Sequence, residues 1–440
     1  MDAFTILTLV VGVTAIASWI NDRFFRLPST IGVMVAGLLV AGGVLVATSA
    51  GWIDDARAVA MVKSLHFDTL LIAGNGSGTA GQGILLGVLL FAAAMRIEPS
   101  SMTRRFGFVA WLATVGVVLT AFGTAVGFGG LLWLAGDSFN FLNLLLFGAI
   151  LAPTDPIAAI ALLRKTSAPT RVREIIAGES LFNDGVSIVL FLFILALITG
   201  KADSPFAGNW ILGFIVETGG ALVVGFVVGM IGSFMIRSTR QTPVVILVTI
   251  AIVLFIGILA PVLYVSCPVA SVVAGLIMGR SPNLRAAREK LAIEFWGLVE
   301  HVLTAVLFLM IGLELITVDL SWSAVMWSLS LVPILLAVRF TSLVIPWAIV
   351  RAAGRTTMSI EEVALMTWCG LRGGVSIAMA IALPLSIMDS NGESLRSDAL
   401  VATILVVVAT IIGQGLMVER MARAVQRRTD RRAAQLAAAA

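Results

Sequence analysis

The chain has 440 residues, 59% of them hydrophobic and only 12% charged, with a formal net charge of +4. Soluble globular proteins carry roughly 25% charged residues, so the composition excludes that class and leaves a polytopic membrane protein. Apolar runs of about 20 residues recur along the whole length, enough to cross a ~30 Å hydrocarbon core as helix, whereas outer-membrane strands would alternate over about ten residues; the class is therefore all-helical.

The first apolar run begins at Phe4, with no basic region before it and no small-residue cleavage pattern after it, and reads as a first span rather than a removed signal peptide. Apolar runs and polar breaks predict about thirteen spans, centred near residues 12, 39, 88, 120, 152, 185, 224, 252, 271, 305, 336, 373 and 409. On that count, 23 of the 29 Lys and Arg fall on one side, from Arg23 and Arg26 to the six arginines that start at Arg420. The opposite loops carry Arg57, Lys63, Lys201 and Arg396 and are relatively acidic, and Arg339 and Arg372 lie within spans. The positive-inside rule then puts the N-terminus outside and the C-terminus in the cytoplasm, in the inner (cytoplasmic) membrane of a cell.

Residues 1–422 read as a single membrane domain, followed at 423–440 by a short basic, alanine-rich cytoplasmic tail, an amphipathic or frayed helix near anionic headgroups. The glycine-rich stretch 74–78 has a flexible linker composition, and neither it nor His66 is given a function. Cys267 and Cys369 lie in apolar runs and read as small packing residues. Thirteen spans divide into two six-span halves of opposite orientation around a linking seventh, and inverted repeats of this kind put interrupted helices at matching positions around a midplane site. The fifth span is interrupted by Pro153 and Pro156; seven spans later the twelfth has Gly370-Leu371-Arg372-Gly373-Gly374, also a helix-weakening run.

The stretch from Gly148 to Gly185 concentrates the chemistry. Two prolines three apart should open the fifth helix around Thr154 and Asp155 and free carbonyls that can bind a cation. Irregular backbone at this depth is tolerated where it is buried in protein or lines a cavity, and an ionisable residue there is functional by default. On the sixth span, Ser180 and Asp184 are four apart and share a face, as do Glu179 and Asn183 on the adjoining stripe. Thr154, Asp155, Ser180 and Asp184 supply the oxygens that a hard monovalent cation favours, with no His or Cys cluster for a transition metal. Asp184 is read as the carboxylate for which cation and proton compete, and Asp155 as the group that holds the opened helix and orients the site. Glu179 needs a buried cationic partner, for which Arg339 is chosen over Arg372, and Arg372 is read as neutralising helix-end carbonyls or lining the cavity. His301, beside Glu300, reads as a packing group rather than a pH sensor, and Glu217 and Glu314 as interfacial.

These motifs resemble the NhaP-type sodium/proton antiporters, prokaryotic relatives of the animal sodium/proton exchangers. The matching stretches are APTDPIAA, GESLFNDG, FWGLVEHVLTAVLFLMIGLEL, LAVRFTSLV and GLRGGVSIAMAIALP, between residues 150 and 384. The resemblance implies a homodimer, a dimerisation scaffold with spans near 1–50 and 205–280, and a moving core with spans near 80–199 and 294–422, giving alternating access. It makes Asp155 and Asp184 essential, Thr154 and Ser180 ligand contributors, and the Glu179–Arg339 pair the support of Asn183. It also implies electroneutral one-for-one exchange, because relatives with Asp in place of Asn183 are the electrogenic type, and a part in pH homeostasis. The third span departs from some archaeal members, which carry a Glu ligand where this chain has Ala92.

No cofactor and no nucleic acid is implied; the transported Na+ (or Li+) and H+ are substrates. The nearest alternative within transport is a K+/H+ antiporter. A cation channel would need a continuous lined pore rather than opposed interrupted helices, and an intramembrane enzyme would need a nucleophile and base that the chain does not present.

Overall fold

An apolar chain in lipid satisfies its backbone polar groups internally, and the described segments do so almost wholly as helix. The computed structural model describes residues 3–25, 29–52, 54, 84–96, 106–164, 166, 168–199, 212–213, 215–239, 241–281, 290–314, 321–354, 358–384, 387–388 and 394–439. The glycine-rich stretch 74–78, His66 and Lys165 lie outside them.

Among the described residues, 8 helices are long and apolar enough to cross a membrane, and Ile84–Met95, Phe141–Ile150 and Cys267–Gly279 are shorter apolar helices. Of the thirteen spans expected from the sequence, those near residues 12, 88, 152, 271 and 373 are not among the 8; the helices near 88 and 271 are short, and two of the stretches are broken. The stretch near residue 152 is two pieces, Phe141–Ile150 and Pro156–Arg164, and that near 373 is Ile360–Trp368 and Gly374–Ile381. None of the four pieces could span the bilayer alone.

The chain divides into two compact units, the first comprising Met1–Pro99, Ile188–Asp319 and Ile377–Leu400, the second Ser100–Ser187, Leu320–Ser376 and Val401–Ala440. In the first unit, the helices Ile84–Met95, Gly220–Ser238, Thr242–Val262 and Cys267–Gly279 share an apolar core. Small residues let them approach closely, as membrane helices require in the absence of a hydrophobic driving force. A Cβ on Gly275 would stand 2.8 Å from the carbonyl oxygen of Phe91. Trp296 fills this core edge-on to Phe91, with ring centroids 4.9 Å apart, and its indole N–H donates to Thr249 Oγ1 at 2.9 Å. Ala92 is fully buried in the same apolar cluster.

In the second unit, the core is built from Pro156–Arg164, the first half of Thr170–Thr199, Ile360–Trp368 and the last helix, Gly415–Ala439. Val418, Ala422 and Val425 of that last helix are buried against it, so the helix is covered by protein on that stripe while Arg420, Arg423, Arg427 and Arg428 stay exposed. The start of Ile360–Trp368 is fixed by a capping box: Ser359 Oγ accepts from the Glu362 amide, and the Glu362 carboxylate accepts from the Ser359 amide at 2.8 Å. The same fully buried carboxylate receives Arg171, whose Nε and Nη2 donate at 2.7 and 2.6 Å.

Candidate functional site

The site begins at the break in the fifth span. Phe141–Ile150 ends at Ile150, and Pro153 and Pro156 withhold the amides that would have continued its ladder. The chain then leaves the helix through residues 151–155, where the Leu151 amide makes the last bond back to Phe147 and the Ala152 amide turns back to Ala149, and restarts with Pro156 at the first helical position, which suits a residue with no amide to leave unsatisfied. Asp155 is the cap of that restart, its Oδ1 accepting from the Ala158 amide at 3.3 Å. The backbone amide of Asp155 donates to the Leu371 carbonyl at 2.7 Å.

The helix Thr170–Thr199 passes this break intact and presents Glu179, Ser180, Asn183, Asp184 and Ser187, all buried. Ser180 Oγ lies 3.0 Å from Thr154 Oγ1, joining the two elements through their hydroxyls. Asn183 Nδ2 donates to the Ala152 carbonyl at 3.2 Å and lies 3.5 Å from Thr154 Oγ1, while its Oδ1 accepts from Ser187 Oγ at 3.0 Å. Asp184 is buried one turn beyond Ser180 on the same helix. Thr154, Ser180 and Asn183 thus form one contiguous polar cluster, flanked in sequence by Asp155 and Asp184.

Glu179, next to Ser180 on the same helix, pairs with Arg339 of the Trp322–Ala352 helix. Both are buried, and the pair is two-pronged: Arg339 Nη1 bonds Glu179 Oε1, and Nη2 bonds Oε2 at 2.9 Å. Among the described residues the hydrogen bonds of Asn183 run to Ala152, Thr154 and Ser187, and none joins it to Glu179 or Arg339. The direct hydrogen bonds of Asn183 are thus with Ser187, the Ala152 carbonyl and Thr154, and the resemblance adds the Glu179–Arg339 pair as its support. Ser187 had no signal beyond its spacing, four residues after Asn183.

The second break runs from Cys369 to Gly373, between Ile360–Trp368 and Gly374–Ile381. Arg372 is wholly buried here, and its Nη1 donates to the carbonyls of Ala152 at 2.6 Å and Pro153 at 3.0 Å. The sequence expected the freed carbonyls of the fifth span to be available to a transported cation. Those of Ala152 and Pro153 are instead held by the protein's own guanidinium, a short charge-assisted contact. Glycine is needed beside both charged groups: a Cβ on Gly373 would lie 2.6 Å from Asp155 Cβ, and one on Gly370 would lie 2.9 Å from Arg339 Nε.

Other ionisable residues sit elsewhere. Glu300 is buried in the first unit and ion-paired with Arg96, a partner 204 residues away that no local pattern announces. His301, read as a packing group, is exposed. Glu217 lies in a single π turn, Ile215–Gly219. Ala92 belongs to the apolar core of the first unit.

Residues 9–424 match the family described as sodium/hydrogen exchanger, transmembrane. The sequence is 33% identical over 425 residues to the Na(+)/H(+) antiporter NhaP of Pseudomonas aeruginosa, covering 94% of this chain and 95% of that one. It is 27% identical over 425 residues to the Na(+)/H(+) antiporter NhaH of Halobacillus aidingensis, covering 93% and 94%. The fold matches that of the sodium proton antiporter MjNhaP1 from Methanocaldococcus jannaschii with a TM-score of 0.71 and 19% identity, over 96% of this chain and 97% of the other.

Proposed function

The chain belongs to the sodium/hydrogen exchanger family, and from that premise we propose that it exchanges Na+ or Li+ for H+ across the cytoplasmic membrane by alternating access. The observation that carries this reading is the 3.0 Å contact between Thr154 Oγ1 and Ser180 Oγ, which joins a helix break to an unbroken helix with a buried carboxylate adjoining each side, Asp155 and Asp184. Hydroxyl and carboxylate oxygens are the ligands a hard cation takes. Asp184 is the carboxylate for which cation and proton compete, Thr154 and Ser180 contribute ligands, and Asn183 and Asp155 hold the geometry around them.

The charge count supports one-for-one exchange. With every group ionised, the buried carboxylates Asp155, Glu179 and Asp184 outnumber the buried guanidiniums Arg339 and Arg372 by one. An uncompensated charge is costly in a low-dielectric interior, and a single monovalent cation or a single proton removes it. Exchange of one for the other then leaves the site neutral in both loaded forms, with Asn183 adding no charge of its own. The Glu179–Arg339 pair keeps Glu179 out of the competition by engaging both of its carboxylate oxygens.

Thirteen spans in two inverted six-helix repeats, with the fifth and twelfth interrupted, complete the proposed architecture. The N-terminus lies outside and the C-terminus in the cytoplasm, and the protein is a homodimer whose scaffold spans near 1–50 and 205–280 carry a moving core drawn from 80–199 and 294–422. Its role is pH homeostasis. The test is collapse of a preset pH gradient in proteoliposomes on addition of Na+, Li+ or K+. Saturable collapse by Na+ and Li+ supports the proposal, a response to K+ alone makes the protein a K+/H+ antiporter, and conductance without saturable counter-transport makes it a channel.

A further inference from the structure

The thirteenth span leaves α geometry at Thr410–Gln414, where the chain makes one π turn between Leu395–Ala409 and Gly415–Ala439. Such turns are rare and concentrate at functional sites. This one faces the second break. The amide N–H of Arg372 donates to Thr410 Oγ1 at 3.3 Å, and the indole N–H of Trp368 donates to the Gln414 carbonyl at 3.0 Å. Trp368 is the last residue of the helix before the break, and Arg372 lies within it. The two donors are therefore four positions apart, as are the two acceptors, and they pair in opposite directions, so that the first and last residues of the π turn hold the break from the residue before it to a residue near its end.

Thr410 is suited to this. Its hydroxyl proton goes to the Val407 carbonyl at 3.1 Å, which leaves a lone pair aimed outward for the Arg372 amide. Thr410, Gln414 and Arg372 are all buried, so neither water nor lipid headgroups can replace the bonds. From there the connection to the site is short. Arg372 holds the carbonyls of Ala152 and Pro153 by its side chain, and the neighbouring Leu371 carbonyl holds the Asp155 amide.

We propose that Thr410 is a positioning residue for exchange: with the Gln414 carbonyl it clamps the interrupted twelfth span, and it acts on the cation site through the placement of Arg372 and Leu371. The functional half of this rests on the exchange reading above, whereas the clamp itself is a statement about the backbone at Cys369–Gly374. Thr410→Val keeps the shape and removes both hydroxyl bonds, Thr410→Ser keeps the hydroxyl, and Trp368→Phe removes the second donor while keeping a ring.

The experiment measures each variant as full-length protein in two ways. Proteoliposome exchange gives the apparent KM for Na+, the maximal rate and the pH profile, and hydrogen–deuterium exchange reports the amides of the peptide covering Cys369–Gly374. Thr410→Val is expected to raise KM about threefold to tenfold, the scale of one hydrogen bond's net contribution, to shift the pH profile and to speed amide exchange at the break. Thr410→Ser should match wild type, and Trp368→Phe should repeat the Val effect in weaker form. Unchanged amide exchange in Thr410→Val overturns the clamp whether or not the protein transports Na+. A wild type that does not exchange sinks the functional reading, and the clamp is then decided on amide exchange alone. If Thr410→Val is not recovered from the membrane, Trp368→Phe decides: a raised KM with faster amide exchange supports the clamp, and wild-type values for both overturn it. A Thr410→Ser variant that behaves like Thr410→Val also overturns it, because the methyl packing rather than the hydroxyl would then be responsible.

Discussion

The two helix breaks of the second unit face each other with opposite chemistry. The break at 151–155 is made by prolines, carries an acid, Asp155, and turns backbone carbonyls inward. The break at 369–373 is made by glycines, carries a base, Arg372, and supplies both of those carbonyls with a charged donor. Proline breaks a helix by withholding an amide, whereas glycine leaves room: Gly373 admits Asp155 and Gly370 admits Arg339. The first break is thus organised to present oxygen and the second to neutralise and support it. Beside the Thr154–Ser180 contact, the carbonyls of Ala152 and Pro153 are already bonded.

The largest test of this contrast is at Arg339, which packs against the second break at Gly370 and pairs with Glu179. Arg339→Ala strands a buried carboxylate and should lower stability by about 3 to 5 kcal/mol, read as a lower unfolding midpoint in detergent and less protein in the membrane. Adding Glu179→Gln should restore much of the abundance, and an unaltered single variant would contradict the pair's importance. Next in size, Arg372→Ala leaves the Ala152 and Pro153 carbonyls without their shared buried donor, at about 1–3 kcal/mol for a lost buried partner. Exchange should fall by on the order of a hundredfold, with Arg372→Lys recovering part of it through a single-pronged ammonium. Retention of full exchange in Arg372→Ala would show that the two breaks do not depend on each other.

Gly373→Ala sharpens the glycine side. Its Cβ would stand 2.6 Å from Asp155 Cβ, so Asp155 or the break must shift, with an overpacking cost of about 1–3 kcal/mol. The expected result is a raised KM for Na+ with protein still recovered, and an unchanged KM would mean that Asp155 can move without consequence. The smallest stability effect belongs to Asp155→Asn. Asn caps a helix as well as Asp does, so the unfolding midpoint should move little while exchange is lost. Equal loss of both would reduce Asp155 to a cap.

Much of this was legible in the sequence because it is written in short-range rules. Pro153 and Pro156 locate the first break, the GLRGG run locates the second, and the four-residue spacing of Ser180 and Asp184 puts them on one helix face. Scarcity narrowed the partner of Glu179 to the two in-span arginines, Arg339 and Arg372, and the family resemblance pointed to the first. What escaped lies in contacts between distant segments. Arg171 and Glu362 are 191 residues apart and Arg96 and Glu300 are 204 apart, and Arg96, Arg171 and Glu362 also fit ordinary polar helix ends. The holding of Ala152 and Pro153 by Arg372 depends on how two breaks meet, which no periodicity encodes. Thr410 sits in an apolar run, where a hydroxyl reads as satisfied by its own helix; that bond exists, to Val407, and hides the second one to Arg372.

The division of labour among the carboxylates is tested most directly by gradient collapse in proteoliposomes with Na+, Li+ and K+, comparing wild type with Asp184→Asn. Wild type should dissipate the pH gradient saturably with Na+ and Li+, and Asp184→Asn, correctly folded and reconstituted, should not respond to either. Full exchange by Asp184→Asn would contradict the competition of cation and proton for that carboxylate.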